Sequence, residues 1–197
     1  MTHGKNWRLF PGYIPGEMLR LHDPYAHALT VIDEVHRLTH DGMCFHHSSK
    51  VTGVANGASA DFAIHVPAGA HPHMHNVRMQ AGAGDIDFIA YEAPTLSDNG
   101  TLLTIHNLNR NSANTADTLL YGAPTVTDVG TEIHNQWAPP TAAGTGQTAA
   151  GVVNVSQGEE WILKSDTWYL FRVTNNSGEV VSIGMEMMFY EISYEEA

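Results

Sequence analysis

From about Gly42 onward, apolar and polar residues alternate with a period of two. In SADFAIHV (residues 59–66), Phe62, Ile64 and Val66 alternate with Asp61, Ala63 and His65, the signature of a half-buried strand. GDIDFIAYEA sets Ile86, Phe88 and Ala90 against Asp85, Asp87, Ile89 and Tyr91. TWYLFRVTNN sets Tyr169, Phe171 and Val173 against Trp168, Leu170 and Arg172, and EVVSIGMEMMFYEIS places Val181, Ile183, Met185, Met187 and Phe189 on one face. Turn signals separate these runs: ANGAS, AGAGD, SDNGT, VSQGE and NNSGE. Roughly eight to ten strands with no long helix among them predict an all-β body over residues 41–197, a sandwich or barrel with the jelly roll among the candidates. The run 139–151 (PPTAAGTGQTAAG) is low in charge and bulk and reads as a loop.

Residues 1–40 have a different texture. Pro11, Pro15 and Pro24 interrupt regular pairing, and Trp7, Phe10, Tyr13 and Tyr25 are costly to leave in water. The expected form is an extended arm whose aromatics anchor on a partner surface or wrap their own domain. A short helix is predicted around Pro24–Thr39, with Asp23 as its cap and Pro24 in its first turn. Leu29, Ile32, Val35 and Arg37 give it only a partial stripe.

One sequence is written twice. Tyr91–Thr101 reads YEAPTLSDNGT and Tyr121–Thr131 reads YGAPTVTDVGT, with seven of eleven positions identical. Each copy closes an apolar strand with Tyr, meets a Pro that cannot donate to a ladder, and continues to Asp-x-Gly, where Asp bonds the backbone and Gly takes positive φ. Both then reach Ile-His-Asn, at 105–107 and 133–135. Two copies are too few for a solenoid, and the shared residues offer no nucleophile with a base. The repetition is expected to be two equivalent corners of one body.

Charge narrows the partners. Only 15% of residues are charged, against about 25% in an ordinary domain, and the net charge is −12. The first fifty residues balance to zero, so residues 51–197 carry the whole excess. Such a body repels phosphate backbones, and nucleic acid is not an expected partner. Cys44 is the only cysteine, so no intrachain disulfide is expected. The first residues lack a signal peptide's apolar segment, and no apolar window approaches about 18 residues. No membrane association is expected.

Thirteen histidines are the most suggestive chemistry. His71, His73 and His75 alternate in AHPHMHN, so on a regular strand they would share one face, which suits a divalent metal. His46, His47, His65, His106 and His134 could add ligands. The spacing resembles the cupin arrangement, a His-x-His pair on a strand followed by Glu, but no carboxylate follows His75 until Asp85. The plainer expectation is a partly exposed or intersubunit strand face. HExxH, GxSxG, a P-loop and a GxGxxG in a βαβ setting are all absent. Cys44 in GMCFHH reads as a small buried hydrophobe, and Asp85/Asp87 and Glu159/Glu160 as solvated surface.

Taken together, the VANGAS turn, the Asn107–Ser112 stretch (NLNRNS), the two Tyr-x-x-Pro-Thr corners and the closing pair EEWILKSDTWYLFRVTN resemble small structural proteins of tailed-phage virions. That group includes capsid decoration, or cement, proteins. The resemblance covers about residues 41–192. It implies a β-sandwich of jelly-roll type that assembles, often as a homotrimer, on the outside of the capsid and clamps neighbouring major capsid protein subunits. It implies no catalysis, no cofactor and manufacture in host cytoplasm. Trp7, Phe10, Tyr13 and Tyr25 are then the candidate anchors. The rival expectations are a receptor-binding or fibre-base module of the virion, and a cupin-like metal enzyme using His71, His73 and His75.

Overall fold

The computed structural model describes residues 33–82, 84–139, 151–155 and 160–192. The chain divides into two units, residues 1–37 and 38–197. A helix, α1 (Glu34–His40), crosses that boundary. Its cap is Asp33, whose Oδ1 accepts from the Val35 and His36 amides at 3.0 and 3.3 Å. The expected cap at Asp23 and the span 24–32 lie outside the described residues.

The second unit is an all-β sandwich. Among the described residues there are fourteen strands, all pairing antiparallel. The first sheet is ordered β11 (Gly151–Val155), β3 (Pro72–Ala81), β14 (Val181–Glu191), β1 (Cys44–Val54), β7 (His106–Asn107), with β12 (Trp161–Ile162) also on β3. The second runs β10 (Thr131–Ala138), β4 (Ile86–Glu92), β13 (Thr167–Asn175), β2 (Ser59–Val66), β8 (Leu119–Gly122), β6 (Thr101–Leu103). A separate ribbon pairs β5 (Thr95–Asp98) with β9 (Thr125–Asp128). Setting aside the five strands from β5 to β9 and counting β11 with β12 as one leaves eight strands, numbered 1 to 8 in chain order. Their orders, 1-8-3-6 and 2-7-4-5, are those of a jelly roll. The strands beyond the expected eight to ten are short pieces of the insertion between β4 and β10, together with β12.

The alternating residues fill the space between the sheets. Phe62, Ile64, Val66, Ile86, Phe88, Ala90, Tyr169, Phe171 and Val173 come from one sheet. Met74, Val77, Met79, Ile183, Met185, Met187, Phe189 and Phe45 come from the other. Phe88 meets Phe171 edge-on at 5.6 Å, and Phe45 meets Phe189 at 5.6 Å. Each large side chain buried here is worth roughly 1.5–3 kcal/mol.

The doubled sequence forms two symmetric corners. The first copy leaves β4 through Ala93, forms β5 and enters β6 on the far side of β8. The second leaves β8 through Ala123, forms β9 and enters β10 on the far side of β4. Each therefore crosses three strands of the second sheet, in opposite directions, and β5 pairs with β9 midway. The inner face is occupied by the core, so the crossing runs over the outer face. Ala63 and Leu170 are completely buried although they alternate out of phase with the core. They are also in register with each other and mark the local two-fold. In each corner the Asp carboxylate accepts from the glycine amide, Asp98 to Gly100 at 2.9 Å and Asp128 to Gly130 at 2.7 Å.

Candidate functional site

The expected arm anchors Trp7, Phe10, Tyr13 and Tyr25 lie outside the described residues, as do residues 140–150 of the expected loop 139–151, while Gly151 opens β11.

The three alternating histidines do not share a face. His71 precedes β3, and His73 pairs with Tyr190 of β14. The ladder then shifts between Met188 and Phe189, whose partners are Asn76 and Met74, so His75 is the bulged residue. His73 is buried and His75 exposed. The alternation was read on a regular strand, and one extra residue breaks it. His73 instead stacks on Tyr190 with ring centroids 4.6 Å apart. Its Nδ1 lies 3.4 Å from Glu160 Oε1, the oxygen to which the Tyr190 hydroxyl donates. Glu160 is exposed, as expected, and β12 brings its carboxylate to this ring pair by pairing Trp161 with Met74. Among the described residues no three His, Cys, Asp or Glu side chains converge as metal ligands.

Other candidate groups are also engaged. Cys44 is buried as expected, and burial pushes its thiol up. Asp85 Oδ1 accepts from Trp137 Nε1 at 2.9 Å, and Asp87 Oδ2 from the Asn176 amide at 2.8 Å. His65 stacks on Trp168 at 4.5 Å. His134 sits against Trp161 at 5.1 Å and Phe88 at 5.8 Å. His47 shares the inner face of β1 with Phe45. Its Nδ1 donates to Thr104 O at 2.7 Å, while its Nε2 is buried and has no hydrogen-bond partner among the described residues. Burial holds this imidazole below its ordinary pKa.

The cations of the acidic body are mostly neutralised within it. Arg172 pairs with Asp61, Arg78 lies 3.7 Å from Glu186, and Lys164 Nζ bonds Glu92 at 2.5 Å. Glu92 also accepts from the Tyr169 hydroxyl at 3.3 Å, and that hydroxyl accepts from the Lys164 amide at 2.8 Å.

Large apolar side chains remain uncovered on the outermost strands. Ile133 and Trp137 of β10 are 43% and 55% exposed, and Ile162 of β12 is 60% exposed. A bulge between Glu132 and His134 turns Ile133 out of the ladder. Ile133 and Ile162 line one depression with Trp161, Leu163, Tyr169 and Glu92. This margin, where the outer strands of both sheets approach, is the best candidate for an interaction surface. Its elements were legible in the sequence only as strands, because adjacency of β10 and β12 is a property of the fold.

No helix among the described residues is long and apolar enough to cross a membrane. No protein-family model matches the sequence, and no curated protein is significantly similar to it.

Proposed function

We propose that this chain is a non-enzymatic capsid decoration, or cement, protein of a tailed phage, which binds the outside of the head and holds neighbouring major capsid protein subunits together. The observation that carries this is a division of labour on the body. Polar groups are turned to internal pairs (Asp61 with Arg172, Glu92 with Lys164 and Tyr169, Glu160 with His73 and Tyr190). Apolar side chains at the β10/β12 margin are left uncovered. Such a surface suits adhesion, since aromatic and aliphatic anchors dominate interface energetics. The resemblance noted above adds its weight, because its most specific element, Trp161–Lys164 with Thr167–Asn175, builds β12 and the central strand β13.

In this role the body acts as a rigid block, Trp7, Phe10, Tyr13 and Tyr25 reach the shell, and copies assemble as homotrimers. A clamp of this kind needs more than about 1,000 Å² of interface per contact. The test is cosedimentation with heads lacking the protein. The full chain pellets with them, and a variant lacking residues 1–25 stays folded but remains in the supernatant. Equal binding by the shortened chain refutes the anchoring role, and no binding by the full chain refutes the function.

A further inference from the structure

The NLNRNS stretch holds a cation in place. The Asn109 amide N–H donates to Asn107 Oδ1 at 2.9 Å, Asn111 N–H to Asn109 Oδ1 at 3.1 Å, and Asn114 N–H to Ser112 Oγ at 3.1 Å. The buried Asn107 side-chain amide donates to Gly42 O at 2.8 Å and Asn114 O at 3.1 Å, and that of Asn109 to His40 O at 2.8 Å. These side chains all close backbone turns. Arg110, between them, is exposed. Of the four cations in residues 51–197, Arg78, Lys164 and Arg172 each have a carboxylate partner. Among the described residues Arg110 has none; its Nη1 reaches only Asn107 O, at 3.4 Å.

Arg110 lines a depression with His46, His106, Asn107 and Leu108. His46 and His106 stand directly opposite each other on β1 and β7, so their side chains emerge on the same face. Among the described residues no carboxylate lines the depression, although the chain has 21 acidic residues to 9 basic ones. We propose that this depression binds one oxyanion group, a carboxylate or phosphate, between the Arg110 guanidinium and the imidazoles of His46 and His106.

The donor chemistry selects the sign of the ligand. A guanidinium offers a planar fork that matches a carboxylate or phosphate, and each imidazole adds an N–H donor. A metal cation is disfavoured by the fixed charge of Arg110. The neighbouring charged and titratable groups leave the site open. On β14, Met188 faces His46 in register and Tyr190 faces Cys44. Glu186 of β14, opposite Ser48, pairs with Arg78. His47 points to the other face of β1 and bonds Thr104. His40 and Asp41 precede β1 and do not line the depression.

NMR titration of the full chain with inorganic phosphate and, separately, with N-acetylglutamate tests the site. Saturable shifts are expected in the ring resonances of His46 and His106 and in the Arg110 side chain. Arg110→Gln and His106→Gln, both at exposed positions, each weaken binding about fivefold or more without altering the rest of the spectrum. A response to phosphate alone identifies a phosphate group as the ligand, and a response to N-acetylglutamate alone identifies an acidic protein segment. No saturable shift with either anion, or unchanged affinity in Arg110→Gln, overturns the proposal.

Discussion

Arg172 and Asp61 face each other across β13 and β2 as a two-pronged pair, with Nε 2.8 Å from Oδ1 and Nη2 2.7 Å from Oδ2. The local two-fold through Ala63 and Leu170 carries this pair onto Trp168 and His65, which stack. One symmetric position is tied by charge and the other by aromatic contact. The Asp61 hydrogen bonds hold the guanidinium even more firmly protonated than usual. Asp61→Ala should cost about 1–3 kcal/mol in urea denaturation, because it strands a half-buried cation. Adding Arg172→Met should recover part of that loss. A double variant as unstable as the sum of both single losses contradicts the coupling.

The two corners interlock through their glycines. Gly100 and Gly130 have φ of 84° and 80°, and an added Cβ would stand 2.3 Å from Gly122 O and from Glu92 O respectively. Gly100→Ala and Gly130→Ala should each destabilise by about 3 kcal/mol or more, since backbone strain and backbone collision add. Gly57→Ala is the control. Its φ is 77° but nothing lies within 4 Å of the added carbon, so about 1–2 kcal/mol is expected. Equal losses at all three positions would mean that the close approach contributes nothing.

Most of the sandwich was legible in the sequence because alternation is a local property. Phe62/Ile64/Val66, Ile86/Phe88/Ala90, Tyr169/Phe171/Val173 and the Val181–Phe189 set all lie in the core. The Asp-x-Gly corners were legible for the same reason. Ala63 and Leu170 were set opposite the core face by the alternation, and no nearby residue announces their complete burial. His71, His73 and His75 misled because a bulge depends on the partner strand's register. The inward turn of Asn107 and Asn109, which isolates Arg110, depends on carbonyls at Gly42 and His40 far back in the chain.

Acidification should weaken the body through His47. Its folded pKa is lowered by burial, so below about pH 6.5 the unfolded chain binds a proton that the folded chain does not. Stability therefore rises with pH through this window and is lost as pH falls through it, by up to about 1.4 kcal/mol per pH unit from this group. His47→Met should flatten the dependence of the urea midpoint on pH between about 7.5 and 5.5. An undiminished slope in the variant would place the acid sensitivity elsewhere.

Tyr169 ties β13 to the segment after β12. Removing its hydroxyl in Tyr169→Phe leaves the Lys164 amide without its acceptor and takes from Glu92 one of its two donors, Lys164 Nζ remaining. A loss of about 1–2 kcal/mol is expected, together with faster hydrogen exchange at the Lys164 amide. Unchanged exchange there would show that the amide does not depend on the hydroxyl.

The adhesive role of the surface is tested most directly by electron cryomicroscopy of heads prepared with and without this chain. The account predicts added density of jelly-roll size on the outer surface, bridging adjacent shell subunits. Indistinguishable maps, or density confined to the tail or its fibres, would contradict it.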